Sequence, residues 1–408
     1  MKSVMITILC AFALVAGAQS LSKRVPLVYS VENTGAKFEA PEMPAFNDLK
    51  ECRELPDPLE WSNGKGKVKT FAEWSHRRNE IAHEIQHYGI GTKPAVPDGG
   101  VMARMVGDTL FVYVTVNGRT LKLKSTITYP KTGKAPYPLM IGTSMLALPR
   151  QLFADRPIAI MNFHEKQVND YGQWGPHHDR GEHCFDRLYP ELKDNGAYSE
   201  WAWGLSRILD GLQQLGPEVT KIDMSHIGVS GCSYAGKMAL YCGAFDERVA
   251  LTIAQEPGGG GAAAWRASRE STKAGKNLED IDKTDYHWFL ESQKETFRGD
   301  SVYRLPYDQH ELCAMVCPRA LLLLGNPDYE WLADGSMLVS AKAVKKVWEK
   351  FGIADRFGYS IQGGHGHCQL PESQFPEVQA FIDKFLLGKN TDTKNIKKIG
   401  FKLTLKKK

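Results

Sequence analysis

The sequence lacks an apolar run long enough to cross a bilayer, a large surplus of either charge, an internal repeat, and any low-complexity linker before its closing stretch. Each absence removes a class of protein. A spanning helix needs about 20 apolar residues, and the opening MKSVMITILCAFALVAGAQS offers a run of only about a dozen. Net charge is +4, from 51 Lys and Arg against 47 Asp and Glu. Several of those lysines crowd into the final KNTDTKNIKKIGFKLTLKKK, so the body is close to neutral and gives no argument for nucleic acid, which needs a clustered basic face. Residues 390–408 are therefore expected to form a solvated basic tail. What is present suits a globular protein: 42% of the 408 residues are hydrophobic and 24% charged, enough for one large core or two small ones.

The apolar run at the N-terminus follows a lysine and ends in Ala16-Gly17-Ala18, the pattern of a secretory signal peptide over residues 1–18. Cys10 lies within it without the small residues a lipoprotein site needs, so cleavage after Ala18 is the expectation, with a secreted or periplasmic product. Cysteine is scarce, at eight in the chain, and Cys10 would leave with the leader. The seven that remain, Cys52, Cys184, Cys232, Cys242, Cys313, Cys317 and Cys368, are odd in number, so at least one stays free or pairs outside the chain.

From about Val101 the pattern alternates between strand and helix. LFVYVTVNGRTLKLKSTITYP alternates with period two around an Asn-Gly turn, as half-buried antiparallel strands do. Short apolar runs follow (YPLMIGT, RPIAIMNF, HIGVSG, ALTIAQE, RALLLLGN, RFGYSIQGG), of the kind covered on both faces. Between them, SEWAWGLSRILDGLQQLG, KMALYCGAFD, GSMLVSAKAVKKVWEKFG and FPEVQAFIDKFLLG carry helical spacing. The expected fold is α/β, a doubly wound and mostly parallel sheet with antiparallel N-terminal strands in a three-layer sandwich. Residues 95–389 form its catalytic-sized domain and 19–94 an N-terminal extension packed on it.

Within that pattern, GCSYAGK follows a strand and opens a helix, the setting of a nucleophile elbow, although an extra residue stands before the second glycine. Ser233 is the candidate nucleophile. His365 and His367, in GGHGHC after the last long apolar run, lie where such a site wants its base. Two acids compete: Glu256 after ALTIAQ, and Asp328 after RALLLLGN. Cys232 directly precedes Ser233 and Cys368 directly follows His367; a bridge between them would hold serine and imidazole side by side, with two separately buried thiols as the alternative. The Ser233 hydroxyl is expected within hydrogen-bond reach of His367, roughly 2.6 to 3.2 Å or longer without substrate.

Together, GCSYAGK, QEPGGGGAAAWR, LPYDQHELCAMVCPRALLLLGNPDYEWL and GGHGHCQLP resemble the glucuronoyl esterases, carbohydrate esterase family fifteen, and YSEWAWGLSRILDGL and RGEHCFDRLYP add to the likeness. The resemblance, over roughly Ala95 to Lys389, implies an α/β-hydrolase that cleaves the ester between a glucuronic acid of xylan, often 4-O-methylated, and a lignin alcohol. It implies Ser233 as nucleophile, His367 as base, Glu256 as acid with Asp328 as the alternative, and a Cys232–Cys368 bridge. Lys237 and Trp331 match sugar-binding positions, and Glu279 and Asp285 fall near two more. Two positions depart from the pattern: Tyr234 stands where relatives usually carry an oxyanion-stabilising arginine, and Ala264 where fungal relatives often have a cysteine, so that second bridge should be absent.

No metal and no cofactor are expected. The stretch FHEKQVNDYGQWGPHHDRGEHC gathers His164, Glu165, His177, His178, Asp179, His183 and Cys184, but in a long loop rather than at compact ligand spacing, which favours a substrate-facing insertion. His310 precedes the strand leading to Asp328, against the order expected of a base, and should anchor its own helix. A monomer acting on glucuronoxylan or a lignin-carbohydrate ester is the leading reading. A different esterase such as a xylan deacetylase, or a weakly active glucuronoxylan-binding protein, remains open, the latter because of Tyr234.

Overall fold

A computed structural model of the chain describes residues 25–400. The candidate signal peptide therefore lies outside the described residues. Ten strands form one sheet: β1 Val101–Val106, β2 Thr109–Val116, β3 Arg119–Thr128, β4 Tyr137–Thr143, β5 Ala159–Phe163, β6 Ile222–Cys232, β7 Val249–Gln255, β8 Ala320–Gly325, β9 Phe357–Ile361 and β10 Lys397–Ile399. Their order is β1-β2-β3-β5-β4-β6-β7-β8-β9-β10. The pairings β1/β2, β2/β3 and β3/β5 are antiparallel, and every pairing from β5/β4 to β9/β10 is parallel.

Why the central runs show no alternation is visible in β8. All six residues of ALLLLG are buried, Leu321 and Leu323 in one core and Leu322 and Leu324 in a second on the opposite face. The larger core receives α2 (Ala197–Thr220), α3 (Tyr234–Phe245) and α4 (Asp334–Lys350); the smaller receives Val378, Phe381, Ile382 and Phe385 of α5 (Phe375–Phe385). In β2 and β3, by contrast, Leu110, Val112, Val114, Leu121 and Leu123 face the core while their neighbours face water.

One feature departs from the sequence reading, and one element was not foreseen in it. Strand β10 lies within the stretch expected to be a solvated tail: its parallel pairing with β9 and the buried Thr393 carry the sheet beyond Lys389. Within 25–94, the helix α1 (Phe71–Ile85) is polar yet largely buried. Arg77 bonds Glu311 at 2.8 Å and Glu80 at 3.2 Å, Trp74 donates to the Cys317 carbonyl at 2.8 Å, and these partners make burial of its charges tolerable.

Candidate active site

The site lies at the carboxyl ends of the parallel strands, where an open sheet leaves its crevice. Ser233 joins β6 to α3 with φ 61° and ψ −128°, a conformation side-chain-bearing residues rarely adopt. The glycines explain how the turn is held. A Cβ at Gly231 would lie 2.2 Å from Thr143 Oγ1 and 2.3 Å from the Ala235 carbonyl oxygen, and one at Gly236 would lie 2.3 Å from the Gln255 carbonyl oxygen. The second glycine thus keeps α3 against β7 despite its shift by one position. The Ser233 N–H donates to Gln255 O at 3.0 Å.

Glu256 follows β7, also in the left-handed region at φ 46°. It is 1% exposed and its Oε2 lies 2.6 Å from His367 Nδ1. The Cys368 N–H reaches both carboxylate oxygens at 3.2 Å, and Gln255 Nε2 reaches Oε1 at 3.3 Å. With Nδ1 bonded to the carboxylate, Nε2 of His367 is the nitrogen left for chemistry. Cys232 and Cys368 form a disulfide, with Cα atoms 5.6 Å apart, so the residues beside them are held on adjoining turns. The hydrogen bond expected between Ser233 Oγ and His367 is not formed among the described residues; Nε2 instead lies 3.6 Å from Cys368 Sγ. Such bonds are often long until substrate is bound.

Asp328 requires a correction as the competing acid. Its Oδ2 accepts the Gly364 N–H at 2.5 Å, and it makes no hydrogen bond to an imidazole among the described residues. It clamps the loop that carries both histidines. His365 turns inward: its Nε2 lies 2.9 Å from Gln362 O and its Nδ1 4.0 Å from Glu256 Oε1. Tyr329 OH accepts the His367 N–H at 3.0 Å.

Around this centre, Lys237 Nζ is 2.9 Å from Glu279 Oε2 and 5.0 Å from the centre of the Trp288 ring. Glu279 Oε1 accepts from Thr284 Oγ1 at 2.9 Å, and Asp285 Oδ2 accepts from Tyr171 OH at 2.5 Å. Trp331, 40% exposed, stands edge-to-face with His367 at 4.8 Å. The Tyr234 hydroxyl donates to Ser144 Oγ at 3.0 Å and lies 3.4 Å from Glu165 Oε1. Burial first, then the Glu165 carboxylate, raises its pKa above the ordinary phenol value, despite the opposing Ser144 bond. Trp288, Tyr171, Ser144 and Tyr329 escaped the sequence reading because they come from separate loops, and Glu165 was noted there only as part of the histidine-rich stretch; the position of Ser144 directly after the apolar run YPLMIGT was the one signal available.

Three histidines of the histidine-rich stretch meet partners within it. Asp170 lies 2.7 Å from His178 Nδ1 and 2.8 Å from His183 Nδ1, and His177 packs edge-on against Tyr171. His310 Nε2 lies 2.7 Å from the Pro56 carbonyl oxygen, so it ties its helix to the N-terminal segment rather than anchoring only itself. Burial holds its pKa down at about 4. Ala264 is buried, and Cys52, Cys184, Cys242, Cys313 and Cys317 are free thiols.

An elbow serine, a carboxylate-bound imidazole and a parallel sheet define an α/β-hydrolase-type esterase centre. The family described as "Glucuronyl esterase, fungi" matches residues 112–352. The 4-O-methyl-glucuronoyl methylesterase of Neurospora crassa is 35% identical over 355 residues, 86% of this chain and 87% of that protein. The glucuronoyl esterase catalytic domain from Hypocrea jecorina superposes with TM-score 0.79 at 34% identity, covering 89% of this chain and 96% of that one. A mutant glucuronoyl esterase from Sporotrichum thermophile, solved in complex with methyl 4-O-methyl-beta-D-glucopyranuronate, gives TM-score 0.80 at 31% identity over 88% of this chain and 95% of that one. The chain belongs to the glucuronoyl esterase family.

Proposed function

We propose that this protein hydrolyses the ester between (4-O-methyl-)glucuronic acid of glucuronoxylan and lignin alcohols. The observation that carries the reading is the buried Glu256 bonded to His367 on a loop bridged by disulfide to the Ser233 elbow. His367 Nε2 takes the Ser233 proton as Oγ attacks the ester carbonyl, and Glu256 orients the ring and stabilises its cation. The Tyr234 N–H, at the first position of α3, has no intrahelical acceptor and faces the developing oxyanion. The protonated imidazole then gives its proton to the departing alcohol, and water, deprotonated by the same nitrogen, releases the uronic acid. Lys237, Glu279, Asp285 and Trp331 hold the sugar.

The complex of the Sporotrichum thermophile relative with a methyl glucuronate favours a uronate ester over an acetyl ester as substrate. Turnover of benzyl glucuronate, set against deacetylation of acetylated xylan, tests the reading. Activity on the first that vanishes in Ser233→Ala supports it; activity on acetyl groups alone overturns it. We infer from the leader that the product is exported, and no helix among the described residues is long and apolar enough to cross a membrane.

A further inference from the structure

Strands β1 and β2 turn one face to α2 and the core, β3 turns the same face to the core and the short helix Cys184–Leu188, and all three turn the other to water. None of the three contains Asp or Glu, while Arg104, Lys122 and Lys124 all point outward. Register brings them together: Arg104 lies opposite Phe111, Phe111 opposite Lys124, and Tyr113 opposite Lys122. Like charges gathered on one face repel. Yet none of the three has a carboxylate partner among the described residues; the carboxylate nearest in sequence, Asp108, belongs to the β1–β2 turn.

Two aromatic rings hold Arg104 and Lys122 in place. The Arg104 guanidinium carbon lies 5.2 Å and Lys122 Nζ 4.8 Å from the centre of the Phe111 ring, and both also face Tyr113. Arg104 Nη2 donates to Tyr113 OH at 3.1 Å. Paired threonine hydroxyls, Thr109 with Thr126 and Thr115 with Thr120, flank the cations on the same face. The surface thus offers fixed positive charge over rings, bordered by hydroxyls. It is also linked to the active site, because the turn that meets Tyr234 through Glu165 meets β3 through Gln167, whose side chain bonds the Lys124 backbone at 2.8 and 3.0 Å.

We propose that the outer face of β1–β3 is a second binding surface for an acidic polysaccharide, a xylan chain whose neighbouring uronic acids are unesterified. Carboxylates spaced along such a chain supply the counter-charge that the protein omits here, while the chain's hydroxyls meet the threonines. The choice of polymer rests on the proposed function; the surface itself rests on its charge and register.

The test uses the full chain with Ser233→Ala, so that polymer is bound without being cut. Affinity is measured for glucuronoxylan and for the same xylan with its carboxyls reduced to alcohols. Wild-type surface should prefer the acidic polymer, and Arg104→Gln/Lys122→Gln/Lys124→Gln should lower that affinity about tenfold, three exposed pairs each contributing a modest share. With Ser233 restored, the triple variant should keep its rate on benzyl glucuronate. Equal affinity for the reduced polymer, or undiminished affinity in the triple variant, overturns the proposal; so does affinity lost only on deleting residues 401–408. If the triple variant loses small-ester turnover, Lys124→Glu decides, since Lys124 makes no ring contact among the described residues, and retained polymer affinity there is a refutation. A chain inert toward glucuronate esters that still binds through these cations would refute the enzymatic reading and leave this one standing.

Discussion

Tyr234 brings a phenol to the position where the family resemblance implies a guanidinium, and its surroundings decide what a replacement would do. Glu165 is buried and lies 3.4 Å from the tyrosine hydroxyl, so an arginine introduced there would pair with that carboxylate before reaching an oxyanion. Tyr234→Arg should therefore gain less than the roughly 10² to 10³ in kcat that one oxyanion donor is worth. The double variant Tyr234→Arg/Glu165→Gln should exceed it. Steady-state kinetics on a glucuronate ester reads both, and a double variant no faster than the single one removes Glu165 from the account. The two acids separate just as plainly. Glu256→Gln should cost about 10⁴ in kcat, as expected when a carboxylate behind a catalytic imidazole becomes an amide. Asp328→Asn loosens only the clamp on Gly364 and should leave most of kcat intact. A large loss in Asp328→Asn with little in Glu256→Gln would reverse the assignment.

Among the elements, the elbow depends on backbone that cannot yield. Gly236→Ala would drive a methyl into the Gln255 carbonyl oxygen, and we expect a loss of about 1 to 3 kcal/mol by chemical denaturation, with activity falling as Ser233 is displaced. An active, fully stable variant would mean that α3 can move off β7. Elements such as β4 to β9 were legible in the sequence because a strand buried on both faces must be apolar throughout. Helix α1 was not: the partners that make burial of FAEWSHRRNEIAHEI tolerable lie far off in the chain, Glu311 234 residues from Arg77 and the Cys317 carbonyl 243 residues from Trp74. Strand β10 was hidden for a related reason, since its lysines speak for water while its hydrogen bonds come from β9. In the site, Ser233, His367 and Glu256 stood out in the sequence as candidates because each follows a strand at a fixed place in the fold. Trp288 and Tyr171 were not, because their neighbours are set by loop packing alone.

For the whole molecule, stability should depend on pH through an acid the chemistry does not use. Burial, with the Glu256 charge adding to it, raises the Asp334 pKa to about 7 in the folded chain, against an ordinary aspartate value near 3.9 when unfolded. Folding thus favours the protonated form. Its contribution is complete below about pH 4 and is lost as pH rises through about 7. Asp334→Asn keeps an acceptor for the Asn326 N–H and should raise the melting temperature at pH 8 more than at pH 5; an equal shift at both would refute the linkage. The disulfide acts at the same scale. Because it joins residues 136 apart, a protease that nicks an exposed loop anywhere between them leaves two fragments that still travel as one molecule, the serine on one and the imidazole on the other. Once clipped, the enzyme would depend for its assembly on the redox state of its surroundings, intact among oxidants and divided by a thiol.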